Sequence, residues 1–180
     1  MVYVFLAEGF EVTEALAPVD ILRRAGADVK TVGVTGKTVT SSHKVPVVAD
    51  ITKDEILLND ELELIVLPGG MPGANNLEAD ETVQKAIDFC VENDRFVGAI
   101  CAAPKILGHK GLLNGRKATC FPGFEQDLEG AEITGEPAVT DGKFITGKGA
   151  GAALDFGFAL VAALFDEDKA AKVSSNMQCR

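Results

Sequence analysis

The chain has 180 residues, of which 47% are hydrophobic and 24% are charged, proportions that are typical of a soluble globular protein. This length is enough to bury a full core, so we expect a single domain over residues 1–180. The formal net charge of −10 argues against nucleic acid or an anionic membrane as the main partner, because both attract basic surfaces.

Short apolar runs rich in β-branched residues alternate with helical patterns along the chain. The runs that predict buried strands are residues 2–7, 28–34, 62–68 and 95–100. The helical patterns cover residues 12–25, 79–93 and 153–165. Pro18 should bend the first helix or mark a break in it, and the third helix should be largely buried because it is apolar on most sides. The alternation predicts an α/β fold with a mostly parallel sheet that is covered on both faces.

Two further segments stand outside this alternation. Residues 37–50 are predicted to form an extended excursion, and Asp141-Gly142 between two alternating runs predicts a β-hairpin. No apolar run is long enough to cross a membrane, and the apolar start lacks the basic leader of a signal peptide. The four cysteines show neither CxxC pairing nor zinc-like spacing. We therefore expect a reducing, cytoplasmic setting, no membrane partner, and neither a metal ion nor a cofactor.

Three segments each follow a predicted strand: "AEGFEVTE", "LPGGMPG" and "AICAAP". They should meet at one edge of the sheet, where open parallel sheets bind ligands. The spacing Ala99-x-Cys101-x-Ala103 resembles a nucleophile elbow, in which small flanking side chains let a strand and a helix approach closely. Cys101 is thus either an exposed nucleophile at this turn or a buried cysteine acting as a small hydrophobe.

Other groups could support a nucleophile at Cys101. The N–H groups of Gly70 and Ala102 are the natural pair for an oxyanion hole. Glu11 and Glu14 lie three residues apart on one helical face, and a carboxyl group facing the sulfur would be desolvated and protonated. The alternative for either glutamate is a solvated charge in the first turn of a helix. A protonated Glu14 would donate a hydrogen bond to the sulfur, and the N-terminus of the following helix would also favour the thiolate. We therefore expect the pKa of the Cys101 thiol to lie below that of free cysteine.

The two histidines of the chain, His43 and His109, are both predicted to be surface residues. His109 lies two helical turns beyond Cys101 and should point away from it. His43 lies in the extended excursion and would reach the site only through a fortunate fold or from another subunit. A Cys–His pair of the protease type therefore has little support.

The stretches "AEGFEVTEALAPVDILRRAG", "VLPGGMPGANNL" and "AICAAP" together resemble the ThiJ/PfpI family of the class I glutamine amidotransferase-like superfamily. The similar branch is that of the parkinsonism-associated protein deglycase and its bacterial relatives, which "GKGAGAALDFGFALVAAL" also resembles. The resemblance implies a flavodoxin-like three-layer sandwich that forms homodimers. It assigns the nucleophile to Cys101, the protonated carboxyl group to Glu14 and the oxyanion-hole amides to Gly70 and Ala102. Phe121 occupies a position where several members have a histidine.

The resemblance also implies a cofactor-independent, cysteine-dependent glyoxalase or deglycase that protects against carbonyl and oxidative stress. Its substrate would be methylglyoxal or a thiol or amine adduct of it, attacked by Cys101 while Glu14 moves the proton. The alternative is a non-enzymatic redox sensor or chaperone-like protein that responds to oxidation of Cys101. Older family labels suggest an intracellular peptidase or a role in thiazole monophosphate biosynthesis, which the missing histidine and the absence of a phosphate loop disfavour.

Overall fold

The computed structural model describes residues 1–179 and is built around a seven-stranded sheet. The strands are β1 Val2–Leu6, β2 Val29–Gly33, β3 Thr38–Thr40, β4 Pro46–Val48, β5 Ile51–Thr52, β6 Leu64–Leu67, β7 Phe96–Ile100, β8 Lys117–Ala118, β9 Glu132–Ile133, β10 Ala138–Asp141 and β11 Phe144–Gly147. The helices are α1 Val12–Ala25, α2 Gly73–Ala79, α3 Glu81–Glu92, α4 Pro104–His109, α5 Ala153–Leu164 and α6 Glu167–Asn176. Three short 3₁₀ turns occupy Lys53–Glu55, Glu125–Asp127 and Ala150–Ala152.

The strand order in the main sheet is β10-β11-β7-β6-β1-β2-β5. All neighbouring strands are parallel except β10 and β11, which form the hairpin predicted around Asp141-Gly142. The three central strands β7, β6 and β1 are almost entirely buried, as expected for strands covered on both faces. The predicted mostly parallel sheet is confirmed.

Helices cover both faces of the sheet and divide the core into two layers. Apolar side chains of α1, α5 and α6 pack against one face, and those of α2, α3 and α4 pack against the other. This is the predicted three-layer, flavodoxin-like sandwich. Helix α1 continues through Pro18 without a break and ends at Gly26, which adopts the left-handed conformation. No helix within residues 1–179 combines the length and apolar character needed to cross a membrane.

One sequence prediction needs correction. Helix α5 is not largely buried, because it lies in an outer layer and packs one face through Phe156 and Leu160, while Leu154 and Phe165, the residue after the helix, are 43% and 44% exposed. Residues 37–50 form the predicted extended excursion outside the main sheet, in which β3 and β4 pair as a separate antiparallel hairpin. The turn of this β3–β4 hairpin spans residues 41–45.

Candidate active site

Three loops converge where the central strands of the sheet end. The loops are residues 7–11 after β1, residues 68–72 after β6, and residues 101–103 after β7. Backbone hydrogen bonds join the first two: the Glu11 N–H donates to the Gly69 carbonyl at 2.9 Å, and the Gly73 N–H donates to the Gly9 carbonyl at 3.2 Å. Because β7, β6 and β1 are adjacent and parallel, their carboxyl ends form one edge, as the sequence predicts.

Cys101 lies at a strained turn between β7 and α4. Its φ angle is +68°, a left-handed conformation that costs a residue with a side chain about 1–3 kcal/mol. The surrounding backbone fixes this turn, since the Cys101 N–H donates to the Gly147 carbonyl at 2.8 Å and the Phe121 N–H donates to the Cys101 carbonyl at 2.9 Å. Ala99 and Ala103 are fully buried on either side of the partly exposed cysteine. This geometry matches the nucleophile elbow expected from the spacing of small residues.

Glu14 lies behind the sulfur in the first turn of α1 and is only 1% exposed. Its Oε2 accepts the Gly69 N–H at 3.0 Å, and its carboxylate also accepts from the Ala150 N–H and from the Cys101 thiol. Burial raises the pKa of Glu14 to about 7, and the nearby negative charge of Glu11 adds to this effect. Glu14 is therefore the buried carboxyl group, whereas Glu11 caps α1 by accepting the Glu14 N–H at 2.7 Å.

The pKa of the Cys101 thiol differs from the expectation. Burial raises the pKa of this thiol, the charge of Glu14 and its hydrogen bond to the sulfur raise it as well, and the N–H groups of Gly70 and Ala102 lower it, so that the pKa is about 12. The prediction of a thiol pKa below that of free cysteine is therefore wrong. Burial disfavours the thiolate, and an ionised Glu14 beside the sulfur disfavours a second negative charge. The sulfur can become an anion near neutral pH only when the proton moves to Glu14.

Two glycines after β6 allow these groups to approach one another. A Cβ atom on Gly69 would lie 2.6 Å from Glu14 Oε2 and 2.7 Å from Cys101 Cβ, which is too close for either contact. Gly70 has a φ of +86°, and a Cβ atom there would lie 2.4 Å from the Glu11 backbone nitrogen. The two glycines therefore let the β6–α2 loop pass between the sulfur and the start of α1, with the Gly70 N–H directed at the sulfur.

A pocket of about 400 Å³ opens in front of Cys101. Its walls combine apolar, acidic and imidazole side chains from five segments: Glu11, Ser42, His43, Gly70, Met71, Cys101, Ala102, Phe121 and Phe124. This volume suits a small molecule, and the apolar rings of Phe121 and Phe124 would limit access of water to the sulfur. Glu14 does not line the pocket, since it lies behind the sulfur.

His43 is exposed, as the sequence predicts, but it also borders this pocket. The β3–β4 hairpin docks on the loop after β1, where the Gly9 N–H donates to the Thr40 carbonyl and the Ser42 N–H donates to the Phe10 carbonyl, both at 2.8 Å. Docking brings His43 to the pocket from its own chain. The short alternating runs on either side of "SSHK" could have predicted a hairpin, but these docking contacts leave no sequence signal.

The remaining predicted groups lie away from the sulfur. His109 points away from the elbow as expected, with its Nδ1 2.5 Å from a Glu78 oxygen and its Nε2 3.6 Å from an Asp127 oxygen. These two carboxylates raise the pKa of His109. Cys90 and Cys120 are buried, and burial raises the pKa of Cys90 to about 12 and that of Cys120 to about 11. Neither cysteine lines the pocket.

A parallel α/β sheet with a cysteine at a strained strand-to-helix turn, backed by a protonatable glutamate, defines a class of flavodoxin-like proteins with a nucleophile elbow. Within that class, the chain belongs to the DJ-1/PfpI family, whose family model matches residues 1–163. The family resemblance inferred from the sequence is thereby confirmed.

Individual relatives agree with this assignment. The chain is 36% identical over 178 residues to Protein DJ-1 homolog B of Arabidopsis thaliana, an alignment that covers 97% of this chain but only 40% of that protein's length. It is 30% identical over 144 residues to Deglycase PH1704 of Pyrococcus horikoshii, covering 79% of this chain and 86% of the relative. The crystal structure of a mutant of the DJ-1 superfamily protein STM1931 from Salmonella typhimurium superimposes with a TM-score of 0.92 at 34% identity, covering 99% and 98% of the two chains.

Proposed function

We propose that this protein is a cysteine-dependent enzyme of the glyoxalase or deglycase type that acts on methylglyoxal or its thiol and amine adducts. The main support is the placement of the Cys101 sulfur, which faces a small pocket on one side and a buried carboxyl group on the other. The name of the Pyrococcus horikoshii relative, a deglycase, points to the same reaction class.

In the first step, the thiol proton of Cys101 moves to the Glu14 carboxylate as the sulfur bonds to the aldehyde carbon of methylglyoxal. A base works best when its pKa lies near the working pH, and a pKa of about 7 meets that condition for Glu14. Because proton transfer accompanies attack, the raised pKa of the thiol does not prevent reaction. The electron pair of the carbonyl group moves to its oxygen, where the N–H groups of Gly70 and Ala102 stabilise the negative charge.

The product of this step is a hemithioacetal, which has the oxidation level of the starting aldehyde. Moving the proton on its aldehyde carbon to the neighbouring ketone carbon, and the proton of its hydroxyl group to the ketone oxygen, converts it into a thioester of lactate. Water then cleaves the thioester, releasing lactate and restoring the Cys101 thiol. The sequence consumes one water and needs neither an oxidant nor a reductant, which fits a reaction without a cofactor.

The test is lactate production from methylglyoxal by the pure protein and by Cys101→Ser, with Cys179→Ser as the matched control. Cys179 is a partly exposed cysteine that does not line the pocket. We expect Cys179→Ser to retain the wild-type rate and Cys101→Ser to produce no lactate above the uncatalysed rate. Equal lactate production by wild type and Cys101→Ser would overturn the proposal.

A redox-sensing role is the second candidate, because Cys101 is more exposed than Cys90 and Cys120 and is flanked by backbone donors. In that case mild peroxide should oxidise Cys101 before the two buried cysteines, as read by peptide mass spectrometry, in a protein without methylglyoxal turnover. Turnover that requires Cys101 favours the enzyme, and ordered oxidation without turnover favours the sensor.

A further inference from the structure

We propose that His43 is the catalytic acid–base group that moves the proton between the two carbon atoms of the hemithioacetal. This inference rests on the proposed function and assigns a step that the Cys101–Glu14 pair leaves open. His43 is a surface residue, as the sequence predicts, and its place at the pocket is what the structure adds.

The position of Glu14 leaves this second proton transfer to another group. Glu14 is 1% exposed, and its carboxylate is surrounded by the Gly69 and Ala150 N–H groups and the Cys101 thiol. A hemithioacetal on the sulfur would extend into the pocket, on the opposite side of the sulfur from Glu14. The carbon-bound hydrogen of the adduct therefore faces the pocket walls and not the buried carboxyl group.

Besides Cys101, the titratable side chains in the pocket wall are Glu11 and His43. One carboxylate oxygen of Glu11 is engaged as the cap of α1, accepting the Glu14 N–H at 2.7 Å. His43 Nδ1 lies 3.2 Å from Ser42 Oγ, a contact that orients the ring, and Nε2 has no hydrogen-bond partner within residues 1–179. Imidazole is the side chain that most often performs acid–base catalysis near neutral pH.

The backbone around His43 holds the imidazole at the pocket. Ser41, only 3% exposed, closes the turn of the β3–β4 hairpin by accepting the Val45 N–H on its Oγ at 3.0 Å. The Ser41 N–H donates to the Val45 carbonyl at 2.9 Å. Together with the docking bonds to residues 9 and 10 described above, these bonds hold the backbone of His43 beside the pocket, where its imidazole is exposed. The wall near Phe121 contains no histidine, so His43 is the pocket's one imidazole among the described residues.

The decisive variant is His43→Gln, with His109→Gln as the matched control because His109 lies outside the pocket. Losing an acid–base group should lower kcat for lactate formation by about 100-fold or more in His43→Gln, while His109→Gln keeps the wild-type value. Mass spectrometry should still detect the hemithioacetal on Cys101 in His43→Gln. Methylglyoxal deuterated at the aldehyde carbon should show a larger isotope effect on kcat in this variant, since proton transfer then limits the rate.

Two rescue experiments separate a chemical role from a structural one. Added imidazole should restore part of kcat in His43→Ala but leave Cys101→Ser inactive. The double variant His43→Gln/Phe121→His should regain activity, because it returns an imidazole to the same pocket. Wild-type kcat in His43→Gln, with Cys101→Ser inactive, would overturn the role of His43 and leave the proposed function standing. A wild-type protein without Cys101-dependent turnover would overturn both.

Discussion

Substituting Glu14 with glutamine should change how the stability of the protein depends on pH. Glutamine has nearly the same shape, can accept the Gly69 N–H and can donate to the Cys101 sulfur, but it cannot ionise. Burial raises the pKa of Glu14 from 4.5 to about 7, so the folded protein holds a proton that the unfolded chain releases between these values. By linkage, the wild-type stability falls as pH rises through this window and the penalty is complete above about 7.

The magnitude follows from the raised pKa. At 1.36 kcal/mol per pH unit, the change from 4.5 to about 7 corresponds to about 3 kcal/mol of lost stability in the wild type. Below pH 4.5 both proteins carry a neutral side chain at position 14, so this difference disappears there. We compare the unfolding free energy of Glu14→Gln with that of the wild type at each pH. The difference above about pH 7 should favour Glu14→Gln by up to about 3 kcal/mol more than the difference below pH 4.5. For a chain of this size that is a relative increase of about 6–12 °C in Tm.

Urea unfolding of wild type and Glu14→Gln, measured below pH 4.5 and above pH 7, tests this expectation. Subtracting the unfolding free energies of the two proteins at each pH removes the contributions of the other titrating groups. These include His109, whose raised pKa affects both proteins alike. Glu92→Gln, at an exposed position on α3, is the control and should change little at either pH. A stability difference between wild type and Glu14→Gln that does not change with pH would refute the reasoning that burial sets the protonation of Glu14.

Three further predictions follow from the site. Gly69→Ala should lose about 1–3 kcal/mol of unfolding free energy, because its Cβ would crowd Glu14 and Cys101, whereas Gly151→Ala, with open space around its Cβ, should be tolerated in the same urea assay. Thiolate absorbance should show a lower pKa for the Cys101 thiol in Glu14→Gln than in the wild type, because the Glu14 charge that raises this pKa is gone; an unchanged titration would contradict this. The family resemblance predicts a homodimer, so sedimentation at micromolar concentration should give twice the chain mass, and a monomer alone would rule it out.

The main sheet and the elbow could be predicted from the sequence because both depend on local signals. The strands β1, β6 and β7 are short apolar runs, and Ala99 and Ala103 flank Cys101 at the spacing that is typical of a nucleophile elbow. Glu14 could be proposed as the buried carboxyl group only through family resemblance, since spacing alone left Glu11 equally suitable. What separates them is the packing of α1, which buries Glu14 and leaves Glu11 at its cap.

The pKa of Cys101 and the place of His43 depend on contacts that the sequence does not show. The raised pKa of the thiol results from tertiary burial and from the charge of a residue 87 positions earlier in the chain. His43 reaches the pocket through backbone bonds between the hairpin and the loop after β1, and backbone groups carry no information about their partners. Local patterns therefore predicted where the nucleophile lies but not which side chains surround it.

The strand order also determines how differently the two sides of the pocket should move. Cys101 follows a central strand with neighbours on both sides, and its N–H is bonded to Gly147 on the next strand, so its amide should exchange with solvent only when the whole sheet opens. The β3–β4 hairpin has strands of three residues each and lies outside the main sheet, so its amides should exchange through local opening. The nucleophile is thus held at the end of a rigid central strand, while the hairpin that carries His43 opens locally more often than the main sheet does.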